Sequence, residues 1–317
     1  MVDRLIPPTL FDGFRTLDAH LSDSLRTPVL VGVGGRAGTG LSTVGRALRG
    51  AGWSLAGPGE PADVDVDVDV DVDVYVFVET LNADDRAALA SAVRPTVAVL
   101  NKADLAGFRG SGPMATAAER CRELERATAV PTRPLSALLA VAGTDPAVLD
   151  AAMIDALRTL ATAPADLSDG LRRRLAADLD LFGTACAVSA VRSGARRGDV
   201  AALLRTASGL GELCAEIDRA AAPVRYRRLI DALAALGSED ARAAQSCTGD
   251  DVVLARMAAA AAVLRAAGAP DRECTTRSDH LRRAVHWQRY AGGPVSALHR
   301  ACATDIARGA LRLWARR

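Results

Sequence analysis

Thr96-Val97-Ala98-Val99-Leu100-Asn101-Lys102-Ala103-Asp104 is the stretch on which the reading of this chain turns. An apolar run suited to a buried strand passes directly into a polar tetrad, so the strand delivers Asn-Lys-Ala-Asp onto a loop. A carboxylate in the place of Asp104 can accept two hydrogen bonds from the N1–H and exocyclic amine of guanine. Adenine presents a different edge and would leave that carboxylate unsatisfied, which is costly for a group withdrawn from water. Asn101 would brace the loop, and the stem of Lys102 would lie along the base. The same four letters also suit an ordinary polar turn, so the flanking sequence decides their weight.

Upstream, Pro28-Val29-Leu30-Val31-Gly32-Val33 reads as a buried parallel strand, followed by Gly34-Gly35-Arg36-Ala37-Gly38-Thr39-Gly40-Leu41-Ser42-Thr43. Laid on G-x-x-x-x-G-K-[ST], Gly35 and Gly40 take the glycine positions and Ser42 the hydroxyl, while Leu41 stands where the lysine belongs. Glycines such as these and Gly38 let a backbone wrap with its N–H groups toward phosphate oxygens, and the following helix adds its positive end. Ser42, with Thr43 beside it, would reach a magnesium ion. The loop can therefore cradle a diphosphate, but its strongest charge is absent. A Gly-rich strand-to-helix turn with no ligand is the alternative. Downstream, Arg133-Pro134-Leu135-Ser136-Ala137-Leu138 places Ser136 and Ala137 where a backbone N–H could meet the guanine carbonyl oxygen.

The chain has 317 residues, enough for two domains, and its aromatic content of 3% leaves the core to Ala, Leu and Val. A net charge of +1 gives no global drive toward nucleic acid. The cysteines Cys121, Cys186, Cys214, Cys247, Cys274 and Cys302 form no C-x-x-C pair and read as small buried hydrophobes. The opening residues carry no secretory signal pattern, and no apolar run of spanning length occurs. The expected location is cytoplasmic, with peripheral membrane contact open.

Residues 1–27 read as a lead-in helix. Between Asp63 and Val74 a six-fold Asp-Val repeat runs into Tyr75-Val76-Phe77-Val78. A central parallel strand should be apolar on both faces, so only about Val72 to Val78 is assigned to the sheet. The remainder reads as an exposed expansion, or as a comb of aspartates for a metal. Asn82-Ala83-Asp84-Asp85 caps a helix through Val93. A strand at 96–100, a helix near Ala115 to Ala129, a strand ending at Leu135 and a helix from Asp145 to Leu160 complete an alternating α/β pattern. That pattern implies a mostly parallel sheet covered on both faces, with a P-loop nucleotide-binding fold over residues 1–160. From 161 to 317 the apolar residues recur only at helical spacing, which implies an all-α domain. Its last helix, Val295 to Arg317, sets Leu298, Cys302, Ile306, Leu311 and Trp314 against a basic face. That face could lie on an anionic membrane or simply be solvated.

With these residues in view, the chain resembles the bacterial dynamin-like GTPases, within the translation-factor class of P-loop GTPases. The resemblance runs through the loop at Gly35 to Leu48 and through Val97 to Leu105. It continues through Leu181-Phe182-Gly183, Leu204 to Leu210 and Arg225-Tyr226-Arg227-Arg228-Leu229 in the helical half. The resemblance implies GTP or GDP as ligand, with Mg2+, and cofactor contacts from Gly35, Arg36, Gly38, Gly40, Ser42, Thr43, Asn101, Lys102, Asp104, Ser136 and Ala137. The chain departs from the family at Leu41 and in having no Asp-x-x-Gly before the Asp-Val repeat. Between Thr43 and Asp63 there is also little room for a switch threonine and two further strands. The parts that read the base are kept, while those that sense and cleave the γ-phosphate are missing.

Three function classes follow. One is a guanine-nucleotide-binding regulator, or the partner of a complete GTPase, with weak or absent hydrolysis. Another is a slow, membrane-associated GTPase that recruits Arg36 as its cation. The third is a nucleotide-free interaction module.

Overall fold

The computed structural model describes residues 27–56, 70–107, 112–239, 249–269, 271 and 274–316. The expected lead-in helix, most of the Asp-Val repeat and Cys247 lie outside the described residues. Two compact units emerge, one from Val29 to Asp218 and the other from Arg219 onward together with Pro28.

The first unit is an α/β domain. Its strands are β1 (Leu30–Gly35), β2 (Ser54–Leu55), β3 (Val72–Phe77), β4 (Thr96–Asn101) and β5 (Thr132–Leu135). They form a parallel sheet in the order β2-β1-β3-β4-β5. Between them lie α1 (Leu41–Gly50), α2 (Ala83–Ala90) and α3 (Pro113–Thr128). After them come α4 (Ala137–Thr144), α5 (Ala151–Thr162), α6 (Asp169–Arg192), α7 (Arg197–Ala207) and the start of α8 (Leu210–Glu239). Phe77, Ala98 and Leu100 pack with Leu89 of α2 and with Ala117 and Cys121 of α3. Strand alternation turns Val74, Val76, Val97 and Val99 to the other face, where they are equally sealed. α1 packs on β1 and against α4. Burying a side chain the size of Phe77 contributes about 1.5–3 kcal/mol, so these short strands are held mainly by their two covers.

The end of the Asp-Val repeat enters the sheet as the alternation requires. Asp73, Tyr75 and Phe77 share one face of β3, and the partly buried Asp73 meets Arg94 at 3.7 Å. Burial pushes the Asp73 carboxyl up, with Arg94 opposing. Asp71, just before the strand, pairs with Leu30: its N–H donates to the Leu30 carbonyl, and its Oδ2 accepts from the Leu30 N–H at 2.8 Å.

The expected helix from Asp145 to Leu160 needs correcting. The helix in this region, α5, begins only at Ala151, after α4 has ended at Thr144, and Asp150 is its N-cap, accepting from Met153 N–H at 2.8 Å. After β5 every element among the described residues is helical. The compact units divide between Asp218 and Arg219. Leu139 and Ala142 of α4, Leu157 of α5, Leu175 and Leu179 of α6, and Val200 and Leu204 of α7 share one core. Gly183 of α6 is approached so closely by Leu139 that a Cβ there would lie 2.9 Å from Leu139 Cδ1.

The second unit contains the rest of α8 with α9 (Asp250–Ala266), α10 (Arg277–Ala291) and α11 (Ala297–Ala315). Tyr226, Leu264, Trp287, Cys302 and Ile306 form its core. Leu298, Cys302 and Ile306 on the apolar face of α11 are thus covered within the unit, while Leu311 is exposed. On its basic face, Arg316 meets Asp250 at 2.6 Å and Arg312 meets it at 3.5 Å. No helix among the described residues is long and apolar enough to cross a membrane.

Candidate functional site

The strand order fixes where a ligand can sit. From β1 the chain passes to β2 on one side, and from β3 it proceeds to β4 and β5 on the other. The loops leaving the carboxyl ends of β1 and β3 therefore part. The resulting crevice is the usual ligand position of an open α/β sheet.

The β1–α1 loop lies at this point, and two of its glycines are dictated by close approach. Gly35 has φ 144°, and a Cβ there would come within 2.1 Å of the Val76 carbonyl oxygen. Gly40 has φ 90°, and a Cβ would lie 2.5 Å from Asn101 Nδ2. Gly38 also takes a positive φ, of 81°. Gly40 offers no side-chain cap to α1, so the first-turn N–H groups of that helix are left facing the loop. Thr39 is buried, and its hydroxyl donates to the Arg36 carbonyl at 2.7 Å. Ser42 is exposed on the first turn of α1, with Leu41 and Thr43 half-buried beside it.

Asn101, at the end of β4, ties three segments together. Its Nδ2 donates to the Thr39 carbonyl at 2.8 Å, and its Oδ1 accepts from the Ala137 N–H at 3.2 Å. The residue is buried, so both bonds are made out of reach of water. Lys102, held with φ 56°, reaches the same loop, and its Nζ lies 3.3 Å from the Gly38 carbonyl. Asp104 follows in a short 3-10 turn (Ala103–Leu105). It is 7% exposed, its carboxylate keeps a window to solvent, and it accepts no hydrogen bond from the described residues. A nearly buried carboxylate with no donor among the described residues has room to accept one from water or a ligand. Leu105 beside it is exposed.

Ser136 and Ala137 open α4 next to Asn101, but their N–H groups are already engaged. The Ser136 N–H donates to the Ser208 carbonyl at 3.0 Å, and the Ala137 N–H is held by Asn101. The residues expected to read a base are therefore brought together, with Ala137 available to a ligand only by exchange with Asn101.

Across the crevice a second network appears that periodicity did not announce. Asp85 is fully buried in the first turn of α2, where it closes a capping box with Asn82. Its Oδ2 accepts from the Asn82 N–H at 2.9 Å. Its Oδ1 accepts from Tyr75 OH at 2.8 Å and from Arg36 Nε at 2.9 Å. Burial would lift the Asp85 carboxyl, but the bonds from Asn82, Tyr75 and Arg36 outweigh it and hold the group below its ordinary range. Burial together with Asp85 pushes the Tyr75 hydroxyl up to about 12. The Asn82–Asp85 spacing is visible in sequence, whereas the link from Asp85 to Arg36 is not.

The neighbouring strand adds no carboxylate. β2 ends at Leu55, and the next residue, Ala56, donates its N–H to the Val31 carbonyl. No group of three or more His, Cys, Asp or Glu that could hold a metal ion occurs among the described residues. Ser42 offers one hydroxyl, so a magnesium ion would be carried chiefly by a ligand's phosphates, a mode that suits this ion. No protein-family model and no curated protein matches the sequence, and no solved structure matches the fold.

Proposed function

We propose that this protein binds a guanine nucleotide, with the base read by Asp104 and the phosphates cradled by the β1–α1 loop as a degenerate P-loop. On this reading it is a regulatory or partner GTPase-like protein whose hydrolysis is weak or absent. One observation carries the reading. Asn101 physically joins the β1–α1 loop, the strand that presents Asp104 and the turn at Ala137, which is what a site for base and phosphates together requires. The Asp104 carboxylate, which accepts no hydrogen bond from the described residues, supports guanine over adenine, because only guanine offers it two donors.

Weak hydrolysis follows from what the loop lacks. Phosphoryl transfer is driven by positioned charge, and Leu41 supplies none where a lysine would. When bound, magnesium would neutralise part of the phosphate charge, with Ser42 as the chain's contribution to holding it.

Asp104→Asn tests the base assignment. It exchanges a charge-assisted two-point contact for a poor one and should weaken GDP binding about tenfold or more in an equilibrium titration. An unchanged affinity would remove Asp104 from the site. Multiple-turnover GTP hydrolysis by the wild-type protein, above the rate of an unassisted GTPase, would overturn the degenerate reading.

A further inference from the structure

We propose that Arg36 is the cation that meets the ligand's distal phosphate, and that Asp85 is the positioning residue that holds it there. The inference rests on reading the crevice as a nucleotide site, and it assigns the charge that Leu41 does not provide.

Arg36 follows Gly35 at the mouth of the crevice between β1 and β3, and its ion pair with Asp85 spans that crevice. The contact to Asp85 uses Nε alone. The outer edge of the guanidinium, with both Nη groups, makes no hydrogen bond to the described residues, and the side chain is 43% exposed. A guanidinium carries five N–H donors in a rigid fork, so one docked through Nε keeps four for an incoming oxyanion.

Asp85 cannot follow the arginine outward. It is fully buried, and Tyr75 OH and the Asn82 N–H occupy its two oxygens from β3 and from the cap of α2. The other nearby cation serves the middle of the loop, since Lys102 Nζ lies against the Gly38 carbonyl, next to Thr39, which is tied to Asn101. The two cations thus divide the loop, with Lys102 toward the base and Arg36 toward the far end.

The test is to titrate GMP, GDP, GTP and ADP, with magnesium present, into the wild type, Arg36→Ala, Arg36→Lys, Asp85→Asn and the Arg36→Ala/Asp85→Asn double variant. Arg36→Ala should weaken GTP about tenfold more than GMP, the loss expected for a charge-assisted hydrogen bond. The preference for GDP over ADP should persist, and Arg36→Lys should restore part of the loss. Asp85→Asn should shift GTP in the same direction by a smaller factor. In the Arg36→Ala background it should have no further effect, because it acts through the arginine. If Asp85→Asn does not fold, Asp85→Glu, which keeps the charge but displaces it, takes its place in the cycle.

The proposal is overturned if Arg36→Ala weakens GMP and GTP equally or neither, or if the two substitutions simply add. Loss of the GDP-over-ADP preference in the wild type would overturn the base reading alone, since the dependence on phosphate number still decides Arg36. A wild type that binds none of the four overturns both.

Discussion

The two ends of the candidate site are built in different ways. Around Asp104 the fold itself holds the neighbouring amide in place. Asn101 is buried and bonded on both sides of its amide, and Lys102 closes onto the β1–α1 loop. Where the β1–α1 loop enters α1, Leu41 stands in place of a lysine and Ser42 is exposed. Removing the Asn101 amide leaves its buried partners, the Thr39 carbonyl and the Ala137 N–H, unsatisfied. Changing Leu41 or Ser42 disturbs little packing. On the proposed reading, base recognition would be coupled to the stability of the fold, whereas phosphate chemistry could be lost without unfolding it.

The comparison breaks most sharply at Asn101. Asn101→Ala strands the Thr39 carbonyl and the Ala137 N–H, and each buried group left without a partner costs about 1–3 kcal/mol. Urea denaturation should show this loss, together with collapse of nucleotide binding. Stability equal to the wild type's would mean that the two ends are not built differently. A smaller, opposite effect is expected at the other end. Leu41→Lys should raise GTP affinity several-fold, up to about tenfold for a new charge-assisted contact, with stability changed by only about 0.5 kcal/mol. Equal GTP affinity in that variant would take the phosphates away from this loop.

The smallest effect concerns the network that anchors Arg36. The Tyr75 hydroxyl has an ordinary value of 10.0 and is raised to about 12 in the folded protein. The folded state then holds the proton more tightly than the unfolded state. Its contribution is complete below pH 10.0 and is lost as the pH rises toward about 12. Tyr75→Phe should flatten the fall in melting temperature across that window. An unchanged slope would place the alkaline sensitivity elsewhere. For Asp85 the sign is reversed: its carboxyl is held low, so its contribution is present above the ordinary carboxylate range and fades as the pH falls through it.

Much of the sheet was legible because each main strand is a short apolar run. β1, β3, β4 and β5 fall within a residue or two of where the runs place them. The end of the Asp-Val repeat, from Val72 on, is a strand where its alternation runs into Tyr75-Val76-Phe77. α4 was missed for a physical reason. Ala137-Leu138-Leu139-Ala140-Val141-Ala142-Gly143 is apolar on every side and almost entirely buried, so it carries no periodicity to read. β2, a two-residue strand, is too short to leave a pattern. At the candidate site the residue types at Asn101, Lys102, Asp104, Ser136 and Ala137 were visible, but the engagement of the Ser136 and Ala137 N–H groups was not. The Arg36–Asp85 pair joins residues far apart in the chain, and no local rule announces such a contact.

The central claim, that the base-reading end is intact while the phosphate-cleaving end is not, is tested most directly by one titration. Wild-type protein would be titrated with labelled GDP, GTP and ADP under identical magnesium and salt conditions. GDP and GTP should bind, and ADP should bind at least about tenfold more weakly, as expected when a site built for two donors meets a base that lacks them. ADP binding as tightly as GDP, or no binding of any of the three, would contradict the account.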